Sequence, residues 1–176
     1  KGNGESCVLS AYSSSVINLS NHFTTSLGIT AQYFTLNKNW TVEPRAALKW
    51  TFNPKHALAL AYGLHSRRER LDYYFVEQEV NGKTESNRYL NFSKAHHFGL
   101  TYDWNINSYM HLKVEPYYQY LFRIPVEENS SFSIINHQSF YLERILKNRG
   151  SGVNYGIDIT LEQYMKNGFY YMITAF

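Results

Sequence analysis

The chain has 176 residues, a net charge of +3, 44% hydrophobic residues and only 18% charged ones. That is length for one sizeable domain and too apolar a balance for a disordered chain. The charge is scattered, and the densest basic stretch, SRRER at 66–70, contains its own acid, which argues against a nucleic-acid partner.

Helical periodicity is almost absent, whereas period two recurs nearly everywhere. A weak strand is expected at about 8–17. TTSLGITAQY (24–33) then sets Leu27, Ile29, Ala31 and Tyr33 against Ser26, Gly28, Thr30 and Gln32. PRAALKWTF (44–52) sets Pro44, Ala46, Leu48, Trp50 and Phe52 against Arg45, Ala47, Lys49 and Thr51. In HALALAYGL (56–64), Leu58, Leu60, Tyr62 and Leu64 oppose small residues. HFGLTYDW (97–104) and HLKVEPYYQY (111–120) alternate in the same way, and Pro116 in the latter predicts a bulge or an edge-facing nitrogen. VNYGIDITLE (153–162), the turn MKNG and the run GFYYMITAF (168–176) make the final pair. The total is about eight strands and an all-β, antiparallel, up-and-down fold.

Alternation alone fits a soluble barrel or sandwich as well as a membrane barrel. Four features favour the membrane form. Several strands reach about ten residues, the length a tilted strand needs to cross a bilayer. Arg45, Lys49, Asp103, Lys113, Glu115, Asp158 and Glu162 place charge in mid-strand on one face, which must therefore meet water. Aromatic residues make up 17% of the chain, and on the apolar face they gather towards strand ends, as interfacial girdles do. Finally, LSNH (19–22), FNPK (52–55), NINS (105–108) and MKNG (165–168) are tight turns, while both long connections, about 65–94 and 122–151, fall at the opposite end. No run of about 18 apolar residues exists, which excludes a spanning helix but not a spanning barrel. The single Cys7 excludes an intramolecular disulfide.

Three stretches also resemble a known family. TVEPRAALKWTFNPKHALALAYGLHSR (41–67) looks like a hairpin of TonB-dependent outer-membrane receptors of the Bacteroidetes type, in which a PR pair, a strand, a short turn and a second strand end in YG. FSKAHHFGLTYDWNINSYMHLKVEPYYQYLFRIPV (92–126) looks like the next hairpin. LKNRGSGVNYGIDITLEQYMKNGFYYMITAF (146–176) is similar to the family's N-x-G-x-G-x-N-Y-G-x-E segment, with Asp158 where Glu is commoner. The likeness covers roughly residues 20–176.

The resemblance implies a bacterial outer-membrane location and a barrel of about 22 strands. It also implies import of a nutrient, whether siderophore, haem, glycan or peptide. The implied partners are membrane lipid, the receptor's own plug domain, the TonB complex reached through it, and a small ligand; no cofactor is implied. Neither a plug nor a TonB box is visible, so residues 1–176 are expected to be one part of the barrel, with plug and remaining strands absent and the pattern continuing past Phe176. The alternative is a small non-transporting barrel, membrane-embedded or soluble, acting as a binding or structural module. An enzyme is a third reading.

No catalytic or metal constellation stands out. His96 and His97 are strand neighbours that face opposite sides, and His56, His65, His111 and His137 lie on other elements. No G-x-S-x-G elbow is present, and GSG at 150–152 reads as a turn. The charged face is expected to bind a plug surface or line a substrate path, or simply to solvate a wet wall. In the first long connection, Arg67, Arg68, Arg70, Tyr73, Tyr74 and Phe75 mix cations with aromatics. That mixture suits an acidic, peptidic or sugar ligand, or else a self-packed loop cluster.

Overall fold

Each period-two run becomes a strand, and each strand pairs with its neighbour in sequence. The structure, a computed structural model, describes residues 5–80, 82–137 and 142–176. Eight strands form one antiparallel sheet. They are β1 (Val8–Asn18), β2 (Phe23–Phe34), β3 (Asn39–Asn53), β4 (His56–Arg67), β7 (Ser93–Asn107), β8 (Met110–Val126), β9 (Lys147–Lys166) and β10 (Phe169–Ala175). A small separate hairpin, β5 (Glu77–Val80) with β6 (Lys83–Ser86), lies within the connection from β4 to β7. There is no α-helix among the described residues. The order β1-β2-β3-β4-β7-β8-β9-β10 is a plain meander with β1 and β10 at its two edges.

Short turns occupy one end. The Asn53 side-chain oxygen accepts from the Lys55 and His56 amides at 2.8 and 3.0 Å. Asn107 repeats the device with Tyr109 and Met110 at the same two distances. Between β9 and β10, Asn167 (φ 53°) and Gly168 (φ 81°) both take positive φ, as a type I′ hairpin turn requires.

At the other end the strands run further than alternation suggested. β3 starts at Asn39 rather than 44, β8 continues to Val126 rather than stopping at 120, and β9 starts at Lys147 rather than 153. A twenty-residue strand spans roughly 65 Å, well beyond the 9–11 residues a bilayer crossing needs. The polar residues at these strand ends therefore pair above the apolar band. The intervening connections fold into a cap. Its core is Phe34, Tyr73, Tyr74, Leu90, Phe92, Ile124, Ile134, Leu142 and Leu146, drawn from both long connections and from strand tips.

Pro116 departs from expectation. It sits in an interior strand, opposite Ile157, and neither a bulge nor an edge is formed there. The β7–β8 register is the same on both sides of it, from Gly99 with Tyr117 to Tyr102 with Val114, and pairing merely lapses between them. A missing N–H removes a ladder bond without adding a residue. The bulge falls higher, at Phe122 to Pro125, where Arg123 has φ 55° and Gly150 stands opposite Ile124. A Cβ on Gly150 would meet Val126 Cγ1 at 2.5 Å and the Ile124 carbonyl oxygen at 2.9 Å. Gly150→Ala is accordingly expected to cost about 1–3 kcal/mol in denaturant unfolding. Gly99→Ala, with nothing within 4 Å, should be nearly silent in the same assay.

Candidate functional site

Register places all seven mid-strand charges on one face. A row crosses the sheet as Ser14, Gly28, Arg45, Gly63, His97, Gln119 and Asn154. The next row on that face is Ser26, Ala47, Ala61, Gly99, Tyr117 and Gly156. Small side chains let the sheet curve, and residues from β1 to β8 line a single hollow of about 470 Å³. A second hollow of about 600 Å³ is lined by Tyr117, Gln119, Asn154 and Asp158. Tyr117 lies over Gly156, where a Cβ would come within 2.7 Å of its hydroxyl.

The charges fall into separate sets. Asp103 meets the His111 ring at 3.0 Å, Lys113 meets Glu115 at 2.8 Å, and Thr101 donates to Glu115 at 3.3 Å. Asp158 stands across from Glu115, and Glu162 across from His111. Arg45 stands apart, towards the cap, where it reaches Glu43 at 3.4 Å. Lys49 is exposed opposite Ala59.

Glu43 was missed because the strand was started at Pro44; counting back by two from Arg45 finds it. Its side chain is 3% exposed and accepts from Gln32 at 2.8 Å. A buried carboxylate needs such partners. Here β3 and β4 part: their pairing ends at Arg45 with Gly63, while β4 continues along β7 as far as Arg67 with Ser93. Thr41 and Ser66 bridge the gap through their hydroxyls at 2.8 Å.

The opposite face is apolar and exposed. Leu48, Leu60 and Leu100 face one another across β3, β4 and β7. Ring contacts run on both sides of this band. Towards the short turns, Phe23, Trp50, Phe52, His56, Tyr102 and Trp104 form a continuous chain with centroids 4.8–5.9 Å apart. Towards the cap, Tyr62, Phe98, His96, Tyr118, Phe122 and Tyr120 form another. His56 and His96 are each tied to a tyrosine hydroxyl, Tyr102 at 2.8 Å and Tyr62 at 3.0 Å.

In the cap, Tyr73 and Tyr74 are buried, whereas Arg67, Arg68 and Arg70 are exposed and Phe75 is half-buried. Each arginine is engaged: Arg67 with Glu69 at 3.6 Å, Arg68 over the Phe34 ring, and Arg70 on both oxygens of Asp72. Ser93 donates to the buried Glu69 at 2.6 Å. Hydrogen bonds from Ser130 and Arg144 hold the Glu127 carboxyl below the usual range, and Lys147 does the same for Glu128.

Burial pushes the Tyr74 phenol up to about 12, although the Glu69 amide donates to it at 3.3 Å. The fold thus favours the neutral phenol. Its contribution is fully present below about pH 10 and is lost as pH rises through about 12, an effect of about 3 kcal/mol. Unfolding free energy from urea titration should fall across that interval in the wild type, and Tyr74→Phe should remove that part of the pH dependence.

No protein-family model matches the chain, and no curated protein matches it. Solved structures do match. The siderophore receptor PirA of Pseudomonas aeruginosa aligns with a TM-score of 0.71 at 10% identity, over 97% of this chain and 35% of that one. A mutant of the ferric enterobactin receptor PfeA of the same species gives 0.71 at 12%, over 96% and 26%. The ferric-catecholate import receptor Fiu of Escherichia coli gives 0.67 at 9%, over 92% and 26%. The fold is that of a segment of a large antiparallel β-barrel, as in these neighbours. The chain spans between about a quarter and a third of the solved chains it matches. All three neighbours are receptors.

Proposed function

We propose that this chain is part of the barrel of a TonB-dependent receptor in a bacterial outer membrane, and that the receptor imports an iron chelate. One observation carries the reading: eight consecutive antiparallel strands gather both long connections into one cap at one end, in the fold of siderophore receptors over 97% of the chain. Under this reading the aromatic chains sit at the two lipid–water boundaries, and Leu48, Leu60 and Leu100 sit in the hydrocarbon between them.

The edges of β1 and β10 pair with further strands of the same barrel, completing about 22, because an open edge in lipid leaves backbone groups unsatisfied. Arg45, Lys49, Asp103, Lys113, Glu115, Asp158 and Glu162 face the receptor's plug, through which TonB supplies energy. Arg67, Arg68 and Arg70 present cations at the mouth, over a frame set by Tyr73, Tyr74 and Phe75. Cations there suit an anionic chelate better than a neutral glycan. The Bacteroidetes-type assignment rests on the motifs of residues 41–67, 92–126 and 146–176, whereas the solved neighbours come from Pseudomonas and Escherichia.

The test is uptake of radiolabelled iron, offered as a panel of ferric siderophores, by the native host with and without the gene. The reading expects loss of uptake for at least one chelate, and the same loss when TonB is removed. Unchanged uptake across the panel, with the protein recovered in the soluble fraction, would overturn it.

A further inference from the structure

We propose that His65 and His97 form a two-imidazole site for a divalent transition-metal ion on the lumen wall, separate from any ligand site in the cap. The sequence hides this pair, because the residues are thirty-two positions apart. Register brings them together: Gly63 stands opposite His97, and His65 is the next residue on the same face of β4. Gly63 has no Cβ, and the His65 ring occupies the space one would take, with Nε2 only 2.8 Å from that position. The two rings therefore come to 4.5 Å between centroids, with planes 54° apart.

Metal–nitrogen bonds of about 2.0–2.1 Å put the centroids of two imidazoles on one ion roughly 4.5–5.5 Å apart, so small ring movements suffice. The Gln119 amide lies 3.4 Å from His97 Nδ1, and Asn154 donates to Gln119 at 3.4 Å. As placed, the Gln119 amide nitrogen faces Nδ1 and can only donate to it; a metal on Nε2 requires that amide to turn over so that its oxygen accepts from Nδ1–H, as second partners of ligating histidines do. Both rings line the 470 Å³ hollow, which has room for an ion that keeps part of its water. Arg45 lines the same hollow, opposite Gly63, and pairs with Glu43 at 3.4 Å. No third His, Cys, Asp or Glu converges with them among the described residues. Water or a small chelator must then complete the shell, which makes the ion exchangeable rather than structural. Imidazole nitrogen selects Cu, Ni or Zn over Mg or Ca.

The experiment titrates the purified full-length protein, in detergent micelles and without an affinity tag, with copper(II) chloride, read by electron paramagnetic resonance. Zinc chloride is followed by calorimetry. One ion per chain is expected, with a copper spectrum showing two imidazole nitrogens. His65→Gln and His97→Gln should each weaken binding at least tenfold and remove one nitrogen, and Gly63→Ala should weaken it by displacing the ring. His96→Gln, on the outer face, should change nothing. Stoichiometric binding that survives in the doubly substituted His65→Gln, His97→Gln protein overturns the proposal. So does a wild-type spectrum without imidazole nitrogen, even where a variant fails to fold.

Discussion

Replacing Asn87 by leucine is expected to loosen the loop cap by about 2–5 kcal/mol while leaving the strands below intact. Asn87 is 1% exposed and belongs to the first long connection. Its amide nitrogen donates to the Arg144 carbonyl at 2.8 Å, and its side-chain oxygen accepts from the Leu146 amide at 2.8 Å. Both partners lie in the second connection, fifty-seven and fifty-nine residues away. Leucine is similar in size but can satisfy neither group, and each buried group left unpaired costs about 1–3 kcal/mol. Native-state hydrogen exchange of the Leu146 amide is the direct measurement. Protection there should fall by two orders of magnitude or more, while amides of β3 and β4 keep theirs. Unchanged protection at Leu146 would mean that apolar packing of Tyr74, Leu90 and Phe92 alone holds the two connections together.

Why the sheet was legible and the cap was not follows from the range of the forces involved. A strand with one wet and one greasy face writes its period into adjacent residues, so Leu58, Leu60, Tyr62 and Leu64 announce β4 by themselves. The end with the short turns was equally plain, since Asn53, Asn107 and the Asn167–Gly168 pair act on amides within three residues. The strand ends near the cap carry no such pattern. Lys147, Asn148 and Arg149 are polar on both faces, and they are strand because β8 runs on beside them. The β5–β6 hairpin did leave a signal, the Asn-Gly pair at 81–82, but it lay within a stretch read as one long connection. Cap packing depends on contacts such as Phe34 with Tyr74, forty residues apart, which no local pattern records.

The same division applies to the candidate site. Arg45, Lys49, Asp103, Lys113, Glu115, Asp158 and Glu162 do share a face, since parity along a strand is a local property and residues directly opposed across strands point to the same side. What parity could not give is depth. Tyr73 and Tyr74 are consecutive aromatics in a polar segment, and only the fold shows that both turn inward. Nor could it give diagonal neighbours: His65 and His97 meet through the absence of a side chain at Gly63.

Leu60→Arg is expected to destabilise the protein in lipid vesicles by about 2–4 kcal/mol, whereas Lys49→Leu on the other face should change stability by no more than about 0.5 kcal/mol. Leu60 is 58% exposed and stands between Leu48 and Leu100, midway between the two aromatic chains. Under the proposed membrane placement, an arginine there puts its charge near the bilayer midplane, at the depth where the cost is greatest. Lys49 faces the concave side opposite Ala59, away from the apolar face. Burial alone gives the opposite forecast, because an exposed leucine on a soluble sheet can become arginine at almost no cost and with a gain in solubility. Urea titration of both variants, reconstituted in vesicles, therefore separates the two environments by sign as well as size. If Leu60→Arg were neutral, the apolar face would be covered by something other than lipid, and the aromatic chains would need another explanation. If it is costly while Lys49→Leu is not, hydrocarbon lies on the leucine side and water on the lysine side, and the alternation of β3 and β4 records that boundary residue by residue.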